Sequence, residues 1–234
     1  MPPQPIKSEL RDSLRDYWLK RVEQHTGDSY AGLGMSKFPE DLRVYEHLLW
    51  ESRATAVIEI GTCRGGSTLW FRDRLVALSR YRTGPRPFVV SIDLDIEDAQ
   101  RGIAETDPGY ADGIALLEAD VTDPTLPARV EELLPSGARC LVVEDSAHTY
   151  ATTYASLAGF ARFVAPGGFF VVEDGCVDVE EMRLSPDWPR GVLPALHDWL
   201  ATPAGQDFQV RRDLEVYGIS CHPEGFLQRR SASS

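Results

Sequence analysis

The chain has 234 residues, enough for one compact domain with a sizeable core, and its 24 Lys and Arg against 36 Asp and Glu leave a formal net charge of −12. That balance argues against a nucleic acid or an anionic membrane as partner, and for a neutral or cationic small molecule or a metal complex. No apolar run approaches the roughly 20 residues of a membrane span, and the opening MPPQPIKSEL has no apolar signal core.

In chain order, residues 1–5 read as frayed. Ile6 to about Gln24 reads as an amphipathic helix with Leu10, Leu14, Trp18 and Val22 on one stripe, a packing face or a contact between copies in a homo-oligomer. HTGDSYAGLGMSKFPED then breaks regular structure, and a loop of that length is uncommon unless it covers a site. A second helix, about Glu40 to Arg53, carries Leu42, Tyr45, Leu48 and Leu49. From there strands and helices alternate. The strands are TAVIEIG, PFVVSID, IALLEAD, ARCLVVED and GFFVVED, and the helices lie near 66–79, 96–105, 125–134 and 149–164. Such alternation predicts an α/β fold, one parallel sheet with helices on both faces. Residues 1–54 form an N-terminal helical extension with an active-site loop, and 55–230 form the core.

Past Gly175 the rhythm changes. The insert CVDVEEMRLSPDWPRG leads to a helix at about Val192 to Ala201 and then to FQVRRD and YGISC, which suit an antiparallel pair closing the sheet edge; SASS reads as a disordered tail. Asp178, Glu180 and Glu181 read as a solvated lid. Trp188 either walls an acceptor pocket or anchors that lid. Cys63, Cys140, Cys176 and Cys221 show no C-x-x-C spacing, which points to reduced thiols in a cytoplasm.

In a parallel sheet, functional groups collect where strands end and helices begin. After the first strand stands EIGTCRGGS, that is Glu59, Gly61, Thr62, Gly65, Gly66 and Ser67. Its glycines let backbone approach a ligand and its helix N-terminus offers free N–H groups, but it lacks the spacing of a dinucleotide fingerprint. An acidic residue at that strand end suits a cationic amino-acid moiety better than a pyrophosphate. At the next strand end Asp93, with Asp95 in reserve, can accept both hydroxyls of a ribose. Asp120, at the end of IALLEAD, either binds an adenine amino group or only caps the next helix. Together these strand ends describe S-adenosylmethionine. LVVEDSAHTY and PGGFFVVEDG then deliver Asp145, Glu173 and Asp174 to one rim with His148 beside them. Three carboxylates so close repel one another unless a cation sits between them.

From about Tyr30 to Gln228 the chain resembles the cephalosporin hydroxylase and macrolide and rhamnosyl sugar O-methyltransferase family. The resemblance is carried by KFPEDLRVYE, VIEIGTCRGGS, SIDLDI, VEDSAHTY, PGGFFVVEDG and YGISCHPEGFLQR. It implies a class I methyltransferase (Rossmann-like) fold with a mostly parallel seven-stranded sheet, S-adenosylmethionine, a Mg²⁺ ion held by Asp145, Glu173 and Asp174, and His148 as general base. Glu144 and the insert from Cys176 to Arg190 depart from the family pattern. The residue chemistry agrees, since an all-oxygen donor set suits a hard ion better than zinc. A metal polarises an acceptor hydroxyl, and a nearby histidine can take its proton. The expected reaction is methyl transfer to a vicinal hydroxyl, of a sugar in a bacterial natural product. The alternatives are a catechol-type aromatic O-methyltransferase, an accessory subunit that only binds the cofactor, and, more remotely, a nicotinamide oxidoreductase. His25, His47, His197 and His222 have weaker claims on chemistry.

Overall fold

The computed structural model describes residues 12–216 and 220–231. Ser13 starts helix α1 (Leu14–His25) by accepting the Asp16 amide at 3.1 Å. The expected helix from Ile6 is therefore shorter within the described residues; residues 6–11, Leu10 among them, lie outside them. Of the stripe, Trp18 and Val22 are buried, but Leu14 is 75% exposed. The glycine-rich segment after α1 contains a small hairpin, β1 (Ser29–Tyr30) with β2 (Leu33–Gly34). Helix α2 (Pro39–Glu51) then begins on a proline, whose missing N–H would have had no intrahelical partner there.

Four apolar runs buried on both faces and one half-buried edge strand, Ile114–Glu118, form the parallel part of the sheet. They are β3 (Ala56–Ile60), β4 (Phe88–Asp93), β5 (Ile114–Glu118), β6 (Cys140–Glu144) and β7 (Phe169–Val172). Between them lie α3 (Gly66–Ser79), α4 (Glu97–Thr106), α5 (Leu126–Leu133) and α6 (Tyr150–Phe160), and α7 (Val192–Leu200) follows. Alternate strand residues face opposite layers. Ile58, Val90, Val142 and Phe170 meet Val130, Leu157 and Leu196 on one side, while Val57, Val89, Val143 and Val171 meet Leu48, Phe71 and Ile103 on the other.

Two short strands, β8 (Phe208–Val210) and β9 (Phe226–Arg229), complete the seven-stranded order β5-β4-β3-β6-β7-β9-β8, with β9 antiparallel to both neighbours. The first closing strand falls where FQVRRD predicts it. The second lies at Phe226–Arg229, later than YGISC; of that stretch Tyr217–Ile219 lie outside the described residues, and Ser220 Oγ and the Cys221 amide donate to Asp41. The chain joins the sheet only after Gly225, where a Cβ would stand 2.0 Å from the Val172 carbonyl.

The insert also departs from expectation. Asp178 is not a solvated lid residue: its carboxylate accepts the Gly191 and Leu193 amides at 2.9 and 2.8 Å, covering the start of α7. Glu180 pairs with Arg190 at 2.6 Å, and Glu181 is exposed. Buried Arg183 draws the insert together by donating to the carbonyls of Ser185, Pro186 and Trp188 at 3.1, 2.8 and 2.6 Å. α1 clamps it from outside, with the Trp18 indole donating to the Met182 carbonyl at 2.6 Å. No helix among the described residues is long and apolar enough to cross a membrane.

Candidate active site

Sheet register places the carboxylates. Glu144 lies level with Ile60 on one side and Val172 on the other, so β6 and β7 end side by side. The Asp145 amide donates to the Ile60 carbonyl at 2.7 Å, and the Glu173 amide to that of Glu144 at 2.9 Å. Asp174 then turns into the left-handed region at φ 56°, a conformation that costs energy for a non-glycine residue. Its amide is held by donation to His222 Nδ1 at 3.1 Å. Asp145, His148 and Asp174 come together closely enough to share one ion, and Glu173, Asp174 and His222 form an overlapping second group.

The resident cation is Lys37. It is 3% exposed, and its Nζ lies 2.9 Å from Asp145 Oδ2 and 2.7 and 2.8 Å from the two oxygens of Glu173. Tyr45 also donates to Glu173. Burial works against the Lys37 charge, but Asp145 and Glu173 outweigh it and hold its pKa well above the lysine range. Burial likewise penalises Glu173, yet Lys37 and His222 leave its carboxyl below its usual value. Asp145 is raised by burial and by Glu173. Asp174 opens partly to a cavity but is otherwise enclosed, and burial together with the Asp145 charge pushes it up to about 8. Lys37 thus offsets the charge of Asp145 and Glu173, while Asp174 lies beside His148 and His222, at 3.4 and 4.0 Å.

His148 stands just before Thr149, which caps α6 by accepting the Thr152 amide at 3.3 Å. The cap fixes the approach to the helix, with His148 at φ 54°. Its Nε2 lies 3.4 Å from Asp174 Oδ2, while its buried Nδ1 has no hydrogen-bond partner within the protein. Glu144, behind it, accepts Thr153 Oγ1 at 3.3 Å and also the Ser146 hydroxyl, and burial pushes its carboxyl up to about 7.

On the cofactor side, Asp93 accepts the Cys63 and Leu94 amides at 2.8 Å each, while Asp95 accepts the Glu97 amide at 2.9 Å. Asp120 accepts the amide and hydroxyl of Thr122 at 2.8 and 2.7 Å, and those bonds lower its pKa. The glycines serve chain-to-chain approach. A Cβ on Gly61 would stand 1.9 Å from the Asp145 carbonyl, one on Gly65 2.7 Å from Ile103, and one on Gly66 2.5 Å from the Gly34 carbonyl. Glu59 is fully buried and does not line the cavity. Its Oε2 accepts Thr68 and Ser91 hydroxyls at 2.5 and 2.6 Å, its Oε1 has no partner, and burial raises its pKa.

One cavity of about 740 Å³ joins these groups. Gly61, Thr62, Ser67, Asp93 and Asp120 line it at one end, Asp145, His148 and Asp174 at the middle, and Leu184 and Trp188 beyond. The segment before Lys37 forms another wall, as its length suggested, and Trp188 both lines the space and packs on the core.

Lys37, Asp41, Tyr45 and His222 escaped sequence reasoning. The signal for three of them was there: Lys37, Asp41 and Tyr45 recur every four residues into and along α2, the spacing of one helix face. His222 sits in a loop, yet it is buried with Nε2 3.5 Å from Asp41 and 3.9 Å from Glu173. Burial alone would lower its pKa, but Asp41, Glu173 and Asp174 raise it on balance.

This strand order, with a single reversed strand next to the edge and a cavity over the parallel strand ends, is the class I methyltransferase fold. Within that class the chain belongs to the rhamnosyl O-methyltransferase/CmcI family, whose profile matches residues 22–230. It is similar to a rhamnosyl O-methyltransferase of Mycobacterium tuberculosis, 24% identical over 209 residues, covering 87% of this chain and 79% of that one. The counterpart from Mycobacterium leprae is 23% identical over 205 residues, covering 86% and 83%. Among solved structures, CmcI in a Mg–SAM form superposes with a TM-score of 0.63 at 23% identity, covering 98% of this chain and 90% of that one. The methyltransferase MycE of mycinamycin biosynthesis, in complex with Mg, SAH and mycinamycin VI, gives 0.51 at 17% identity, covering 82% and 48%.

Proposed function

We propose that this chain is an S-adenosylmethionine- and Mg²⁺-dependent O-methyltransferase that methylates one of two vicinal hydroxyls, on a sugar of a bacterial natural product. The observation that carries the reading is that one cavity joins Gly61, Thr62, Ser67 and Asp93 to Asp145, His148 and Asp174, while Gly65 and Gly66 pack against the chain. The residues fit both groups. Carboxylate oxygens gathered at a cavity wall suit a hard divalent ion, and the named relatives act on rhamnosyl groups or were solved with Mg. The metal would be held by Asp145 and Asp174 at the cavity wall, with Glu173 joining them once Lys37 releases it, and the cofactor by the turn after β3, by Asp93 or Asp95 and by Asp120. When bound, the sulfonium supplies the methyl group and the ion acidifies the acceptor hydroxyl.

The chain's own residues do the remainder. His148 presents Nε2 to the carboxylates and takes the acceptor proton there. The Thr149 cap holds that ring in place, the Gly61–Asp145 contact fixes the distance between donor turn and carboxylates, and Trp188 with Leu184 gives the acceptor an apolar wall. The charge balance and thiols suit a cytoplasmic protein, and the N-terminal helix suits a homo-oligomer. The test is incubation with labelled S-adenosylmethionine and Mg²⁺ against a panel of glycosides and catechols, read by mass. Mg²⁺-dependent gain of one methyl on a glycoside is expected. Methylation of catechols alone would overturn the sugar assignment, and binding of the cofactor without any transfer would favour an accessory subunit.

A further inference from the structure

Beside the oxygen cluster lies a second donor set of different chemistry. A carboxylate oxygen of Asp174 and the sulfur atoms of Cys176 and Cys221 lie within 4.8 Å of one another. The three are gathered by separate devices. Asp174 is fixed by its left-handed backbone and its amide bond to His222, and the Cys176 amide donates to the Cys221 carbonyl at 3.2 Å, tying the segment after β7 to the one before β9. Trp18, Val22 and Phe38 pack behind the two buried thiols, yet all three donors line the cavity. An ion in the cavity therefore reaches them without the core opening.

We infer that Asp174, Cys176 and Cys221 form a binding site for a thiophilic divalent cation of the zinc and cadmium class, separate in chemistry from the magnesium site but sharing Asp174 with it. Two sulfurs and one oxygen are a soft donor set that a hard ion does not prefer. A tetrahedral ion with metal–sulfur bonds of about 2.3 Å places its donors just under ~4 Å apart, inside the 4.8 Å that bounds these three atoms, and the cavity leaves the fourth position open to water. Binding forms two metal–sulfur bonds and one metal–oxygen bond and releases to solvent the two thiol protons and any proton held by Asp174; no electrons are exchanged. Because both ions draw on Asp174 and two divalent charges that close repel each other, the thiophilic cation weakens Mg²⁺ binding and thereby inhibits methyl transfer. Only this antagonism rests on the reading of Asp174 as a magnesium ligand.

The test is a Cd²⁺ titration of the whole chain followed by the ultraviolet thiolate-to-cadmium charge-transfer band. One Cd²⁺ per chain with two thiolates is expected, the band falling sharply in Cys176→Ser and in Cys221→Ser and persisting in Cys63→Ser. Calorimetric titration with Mg²⁺ should then weaken as Cd²⁺ is added. A folded wild-type protein without the band, or a band that survives both serine substitutions, would overturn the site. Two ions binding without effect on one another would overturn the antagonism. An intact cadmium band in a protein that fails to bind Mg²⁺ would support the thiol site while removing the magnesium reading.

Discussion

Lys37 and Glu173 form a closed ion pair in the floor of the cavity, with Nζ within 2.8 Å of both carboxylate oxygens and Tyr45 donating to one of them. Neither partner reaches bulk water, so removing one leaves a buried charge uncompensated, a change that typically costs about 3–5 kcal/mol. Lys37→Met is therefore expected to lower the melting temperature markedly in EDTA. Mg²⁺ should restore more of that stability than it adds to the wild type, because the ion meets carboxylates with no ammonium competing for them. Equal melting temperatures, or an equal gain from Mg²⁺ in both proteins, would remove Lys37 from this role.

His148 has a backbone that asparagine tolerates better than most residues, so His148→Asn removes the imidazole with little strain. Loss of a general base lowers turnover by about 10²–10⁴-fold. S-adenosylmethionine affinity, measured by calorimetry, should stay at the wild-type value. Unchanged turnover would place the base elsewhere.

Asp174 at about 8 and Glu144 at about 7 both sit above the usual carboxyl range. Each keeps a proton in the folded chain that the unfolded chain has already lost, so folded stability declines as pH climbs from the ordinary carboxyl range through 7 and 8. The raised His222 acts in the same sense, whereas the lowered Glu173 matters only in acid. Metal-free protein should therefore melt lower at pH 9 than at pH 6, and Mg²⁺ should narrow that gap by replacing protons. Melting curves that do not change with pH in EDTA would contradict these shifts.

Arg183 gathers the insert by donating to several of its carbonyls from a buried position. Arg183→Met frees those carbonyls, and the segment carrying Leu184 and Trp188 loses its shape. The expected result is a rise in acceptor KM of about tenfold, equivalent to roughly 1.4 kcal/mol, with cofactor affinity unchanged. An equal loss of cofactor affinity would mean that the insert supports the whole fold.

The legible half of the site is the half that regular structure positions. Asp145, Glu173 and Asp174 follow apolar runs, and parallel strands must end near one another, so their meeting could be read from pattern alone. Lys37 could not be found that way: it meets Asp145 and Glu173 from 108 and 136 residues away, across the top of the sheet. Glu59 illustrates the opposite case. A strand-end acid reads as reaching outward, but Thr68 and Ser91 turn it inward, and no local rule predicts which hydroxyls will be near. FLQR is short and only partly apolar, so nothing local marks it as a strand; Gly225 lets it close on Val172, a tertiary fact.

The level ends of β3, β6 and β7 have a further consequence. One residue added to or deleted from β6 would carry Asp145 to the other face of the sheet and separate it from Asp174. The segments before Lys37 and around Trp188 hang on turns and a two-residue hairpin, where length can change without shifting a strand. Insertions and deletions that retune the acceptor should therefore collect at residues 26–38 and 176–190, leaving the reacting centre in place while the molecules it accepts diversify.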